Sequence, residues 1–233
     1  MNAPKSRDIL NRALQNLLVG RYDGVMAPLA SGIRAPGRPR EFQVDDVLDR
    51  AIEVFRERGY EASSMADIER ATGLNTSSIY NTFGSKEALF HRSLARYDAV
   101  RLAAIVDLLA TGTEGLADLH RALELQQAES VSEWGRGGCL AINTMIELGP
   151  RAGDAKEALA EFRRQLAGAI RLPLDRAVVL GELSPDQVPA AVALLVTFTL
   201  GVGVLMRSGA SGAELATHFD AAHTLVESWK IQH

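Results

Sequence analysis

The chain has 233 residues, of which 25 are lysine or arginine and 29 aspartate or glutamate, for a net charge of -4; 47% are hydrophobic and 6% aromatic. This balance excludes a polycation that holds nucleic acid by bulk charge, so any such binding must come from a local patch. The single cysteine excludes an internal disulfide framework and a cysteine-cluster zinc site, and a leucine- and alanine-rich chain of this kind favours helices over sheet.

The start shows no basic segment followed by an apolar one, and no unbroken apolar run is expected to reach the roughly 18 to 20 residues of a membrane span, so the expected location is cytoplasmic. Residues 1–34 form an extension in which Leu10, Leu14, Leu17 and Leu18 make one stripe of a short helix. It reads either as a weakly ordered tail or as a helix that docks on the body or a partner. Arg34, Arg38 and Arg40 follow, held extended by Pro36 and Pro39. Such an arm reaches phosphates or a minor groove, or serves as a soluble linker.

From Val44 the periodicity is strict: Val44, Val47, Leu48, Ala51, Ile52 and Phe55 line one helix face, with Asp45 and Asp46 at the favoured end and Gly59 as the stop. Ser64 and Asp67 form a capping-box-like start before Ile68, and Gly73 ends that helix where a left-handed backbone is needed. Asn75 then caps a short helix, Thr76 to Thr82, which buries Ile79 and Phe83. Its other side offers Thr76, Ser77, Ser78, Tyr80 and Asn81, all hydrogen-bonding and none charged. Such a helix is poor core material and suits a DNA major groove. Ser85 caps a longer helix from Lys86 to about Leu109. Lys86 sits at its first turn, where free amides already favour an anion. Arg34 to Asp98 holds ten basic and eleven acidic residues, so a few placed contacts must carry any DNA binding.

These residues resemble the DNA-binding head of TetR/AcrR-family transcriptional regulators. The matching positions are Gly37-Arg38-Pro39-Arg40, Ala51 with Phe55 and Gly59-Tyr60, Ile68 with Thr72-Gly73, and Ile79-Tyr80 with Phe83, Lys86 and Leu89. The resemblance implies phosphate contacts from Lys86 and Tyr80, and a homodimer in which the last two long helices form a four-helix bundle with those of a second chain. It also implies an effector domain, in some relatives one that senses reactive species through cysteines.

Beyond Thr111 charge thins. A helical pattern runs from Gly115 to Trp134, a short buried helix from Cys139 to Leu148, and another from Ala155 to about Leu183, kinked or split at Pro173. The most apolar helix opens at Pro185, with Gly201 and Gly203 thinning it for close approach, and a last helix runs from Ala213 to Lys230. A ligand pocket is expected among Trp134, Cys139, Asn143, Met145, Glu147, Phe162 and Phe198. Asn143 and Glu147 serve as its polar handles or as satisfied structural groups. Cys139, just after a glycine break, is either a small packed residue or a trigger whose thiol is acidified by helix amides. His91, His120, His218, His223 and His233 lack metal-helix spacing, and His218 and His223 read as solvated surface.

The expected protein is all-α. A three-helix helix-turn-helix head at 35–90, with Ser64 and the arm residues among its DNA contacts, is joined to a ligand-binding and dimerisation domain at 91–233. The expectation is a DNA-binding regulator, a repressor released from double-stranded operator DNA by a small molecule or reactive species, or else a constitutive DNA binder. No catalytic set, cofactor or metal is expected.

Overall fold

The structure, a computed structural model, describes residues 43–132, 134–153 and 155–231. The 1–34 extension, Arg38 and Arg40 lie outside the described residues, as does the Trp134 side chain. Every regular element among the described residues is helical.

Helix α1 (Val44–Arg58) buries the predicted stripe from Val47 onward, with Ala51 and Phe55 fully enclosed and Val44 partly buried. Helix α2 (Met65–Thr72) begins at a complete capping box. Asp67 N donates to Ser64 Oγ at 3.1 Å, and Ser64 N donates to Asp67 Oδ2 at 3.0 Å. Gly73 ends α2 at φ +74°. Helix α3 (Thr76–Phe83) is capped by Asn75, whose Oδ1 accepts from Ser78 N at 2.8 Å, and it buries only Ile79 and Phe83. Phe55, Tyr60 and Phe90 knit the head, with Phe55 and Phe90 edge-to-face at 5.0 Å.

Helix α4 (Lys86–Thr111) packs on α1 at one end and on the body's long helix Ala155–Val179 at the other. Arg96 fixes it to α1 with a two-pronged grip on Asp49, Nε to Oδ1 at 2.6 Å and Nη2 to Oδ2 at 2.8 Å. The body adds α5 (Leu116–Ser130), a 3₁₀ turn (Trp134–Gly137), α6 (Leu140–Leu148), α7 (Ala155–Val179), α8 (Val188–Arg207) and α9 (Gly212–Ser228). Helix α7 is not split: it runs on through the buried Pro173 and stops before Gly181, where φ is +76°.

Two other sequence expectations need correction. Pro185–Arg207 is in fact long and apolar enough to cross a membrane by length and composition, yet only 28% of its most apolar window is buried. Its exposed stripe runs through Ala190, Ala193, Leu194, Thr197, Gly201 and Val204, small or apolar and uncharged throughout. His223 is not solvated surface either, because its ring stacks on His120 at 5.0 Å with Nδ1 to Nδ1 at 2.7 Å. The two rings come from α5 and α9, 103 positions apart, so helical spacing within either element could not reveal the pair.

Candidate nucleic-acid interface and effector cavity

Helix α3 stands on α2 and α4 with its polar side outward. Asn75, Ser77, Tyr80 and Asn81 are exposed, while Thr76 and Ser78 are half-buried at the first turn. The first turn is held by more than its cap. Glu69 Oε1 accepts a hydrogen bond from Thr76 N, which ties α3 to α2, and Arg50 Nη1 of α1 reaches Ala71 O at 3.3 Å, which ties α2 to α1. Tyr80, 43% exposed, presents its ring to solvent rather than to the core. Lys86 lies over the Tyr60 ring at 4.7 Å, and burial pushes its pKa down from the ordinary lysine value. Ser64 is exposed, but its hydroxyl is already engaged by Asp67 at 2.6 Å. The Ser64 hydrogen bonds are also the main reason the Asp67 carboxyl titrates as low as about 2.

The effector-side prediction separates into two places. Cys139 and Phe162 do line a cavity, of about 80 Å³, with Tyr97, Arg101, Leu102 and Met206. A second cavity of about 50 Å³ lies beside it, walled by Leu108, Leu119, Leu123 and Ile170. The two share Ile105, Gln126, Glu129, Leu166 and Thr199 as walls. Phe198 packs edge-to-face on Phe219 at 5.4 Å, and Met145 accepts from Arg163 at 3.8 Å; neither lines these cavities.

Asn143 and Glu147 line neither of these two cavities and instead hydrogen-bond across the joint between head and body. Glu147 Oε2 accepts from Tyr60 N at 2.9 Å and Oε1 from Glu61 N at 2.7 Å, two head amides left open by the end of α1. Asn143 Nδ2 donates to Gly137 O at 2.8 Å and to Arg56 O at 3.4 Å. Arg56, 1% exposed, sends its Nε to Gly138 O at 3.1 Å and ion-pairs with Glu53 at 3.0 Å; burial lowers its pKa. Arg207 closes the joint, its Nη1 donating to Arg56 O at 2.7 Å and Glu57 O at 2.9 Å.

Cys139 caps α6, as expected, yet its thiol is not acidified. Burial pushes its pKa up, outweighing the opposing hydrogen bonds from the Ile142 amide, the Tyr97 hydroxyl and the Ala141 amide. The sequence reading missed Arg101 and Glu129, an ion pair whose side chains are only 10% and 16% exposed. Its one signal was a charge set within an apolar stripe, beside Leu102 and Ile105.

This geometry, a capped three-helix reader on a body with cavities between its helices, defines a one-component helix-turn-helix DNA-binding regulator, and comparison with known proteins agrees. Residues 47–92 match the family model of bacterial regulatory proteins of the tetR family, and residues 112–224 that of the tetracyclin repressor-like C-terminal domain. The HTH-type transcriptional repressor ComR of Escherichia coli is 29% identical over 201 residues, 84% of this chain and 93% of that protein. The repressor AcnR of Corynebacterium efficiens is 30% identical over 186 residues, 78% of this chain and 90% of its own. Among solved structures, a cysteine mutant of the TetR-family regulator CifR complexed with 26-bp double-strand operator DNA superposes with a TM-score of 0.73 at 27% identity, covering 81% of this chain and 98% of CifR. The chain belongs to the TetR family, and it is a transcriptional regulator, not an enzyme.

Proposed function

We propose that the protein is a cytoplasmic, homodimeric repressor that holds a two-fold operator through α3 and is released when a small molecule enters the body. The observation that carries this is the pairing of an exposed, uncharged α3 with a joint that ties the head to the cavity walls. Gly138 lines the cavity while its carbonyl receives the buried Arg56 of α1. On the operator, Tyr80, Lys86 and the Arg38–Arg40 arm contact phosphates, and Thr76, Ser77, Asn81 and the exposed parts of Asn75 and Ser78 face base edges.

The uncovered α8 stripe with the outer side of α9, where Leu225 is 37% exposed, pairs with a second copy. A single reader this small touches too few bases, whereas a dimer doubles the contacts at half-sites one or more turns apart. A reversible ligand is favoured over a reactive species because burial pushes the Cys139 pKa up, away from thiolate; operator release by hypochlorite should therefore be equal in wild type and Cys139→Ser.

The test is selection of sheared genomic DNA on the full chain, followed by sequencing. Enrichment of a short two-fold-symmetric site supports the reading. Absence of enrichment, or sites without symmetry, rejects it.

A further inference from the structure

The two cavities adjoin along a waist of five shared wall residues, of which Gln126, Glu129 and Thr199 are polar and Ile105 and Leu166 apolar. Arg101, on the wall of the larger one, pairs with Glu129. On one side of the waist the walls are Leu108, Leu119 and Ile170, and on the other Leu102, Phe162 and Met206. We propose that the effector is a slim, uncharged molecule with a hydrogen-bonding group at its middle and an apolar arm on each side; this deepens the ligand-released reading above and rests on it.

The reasoning is one of charge balance. Arg101 and Glu129 pair with each other away from water, so a charged ligand that meets one also meets the other. An anion that pairs with Arg101 also meets Glu129, and a cation that pairs with Glu129 also meets Arg101. An uncompensated charge in such a site is disfavoured by more than a small ligand's contacts return. A neutral carbonyl, ether or amide has no such conflict. It can accept from the Arg101 guanidinium, the Gln126 amide or the Thr199 hydroxyl, and an amide N–H can donate to Glu129. Size agrees with this: the lobes, of about 50 and 80 Å³, suit arms of a few methylenes each.

Three probes share two propyl arms and differ in the central group: 4-heptanone, dipropylammonium and 2-propylpentanoate. Binding to the full chain at neutral pH, without DNA, is read by titration calorimetry and thermal shift. A missing operator would therefore sink the repressor reading without touching this result. The ketone should bind at least about tenfold tighter than either ion, about 1.4 kcal/mol. Glu129→Gln should turn the preference toward 2-propylpentanoate, and Arg101→Gln toward dipropylammonium, each by about tenfold or more. Should either variant fail to fold, the order of the three probes on the wild-type protein decides alone. The proposal is overturned if the ketone does not bind, if either ion binds the wild type as tightly as the ketone, or if folded variants keep the wild-type order.

Discussion

Replacing Glu147 with alanine tests how the head is held. Its carboxylate receives the Tyr60 and Glu61 amides at 2.9 and 2.7 Å, and hydrogen bonds to charged groups contribute roughly 1.5–3 kcal/mol each when dry. Glu147 is half-buried, so the pair together is expected to contribute about 2 kcal/mol. For a chain of this size that lowers Tm by roughly 4–8 °C. Amide hydrogen exchange locates the loss. In Glu147→Ala the Tyr60 and Glu61 amides should exchange about thirtyfold faster, while the α2 and α3 amides keep their protection. Gly59→Ala should produce the same signature by another route. At Gly59 φ is +84°, and an added Cβ would stand 2.6 Å from Glu147 Oε2, pushing the carboxylate off its amides. Wild-type exchange at Tyr60 and Glu61 in Glu147→Ala would refute the joint as described.

On the head, Tyr80→Phe and Lys86→Ala should each weaken operator binding by about 1–2 kcal/mol on every sequence tested, whereas Asn81→Ala or Ser77→Ala should change the ranking of operators in a competition assay. Asp98 supplies a pH prediction, since burial lifts its carboxyl to about 7. The native state then keeps a proton that the unfolded chain loses near pH 4, so stability falls as pH rises from about 4 to about 7 and is level above that. Asp98→Asn should abolish that slope and be more stable at pH 8 by about 2–4 kcal/mol in chemical denaturation. Leu194→Glu or Leu225→Glu, at positions 48% and 37% exposed in the single chain, should yield a monomer in analytical ultracentrifugation; a persistent dimer would place the interface elsewhere.

The head was legible in the sequence because its signals are local. The Ser64–Asp67 box, the Asn75 cap, the Gly73 stop and the Ile79/Phe83 pair all act within eight residues, and each appears in the structure as read. The body was legible only in outline. Arg101 and Glu129, His120 and His223, and Glu147 with the Tyr60 amide meet across 28, 103 and 87 positions, and helical period carries no information at that range. Asn143 and Glu147 were correctly singled out as polar groups in an apolar helix. The sequence could not say that their partners were open backbone groups at the end of α1. Cys139 shows a different limit: its position at a helix start was readable, but the burial that decides its ionisation depends on Tyr97 and the rest of the cavity wall.

The joint and the cavity share material, and that sets how a ligand can move the head. Gly138, Ile142 and Gly203 line the larger cavity, Gly138 O holds Arg56, and Asn143, next to Ile142, donates to Arg56 O. A hundredfold operator release needs only about 2.8 kcal/mol of differential stabilisation, on the order of two of these hydrogen bonds. On this reading a ligand need not bend α4 along its length; a push on α6 at Ile142 would lengthen the bonds that α1 depends on. Gly203→Ala imitates that push without a ligand, because its Cβ would stand 2.4 Å from Ile142 Cδ1, well inside the roughly 3.5–4.0 Å of carbon contact. The variant should bind operator about tenfold more weakly with no effector present. Adding Ile142→Val removes the Cδ1 methyl and leaves Cγ2 as the nearest atom at 3.2 Å, so the double variant should recover most of the affinity. If Gly203→Ala binds operator as the wild type does, or if Ile142→Val fails to restore a weakened variant, the head takes its signal along α4 and not through this joint.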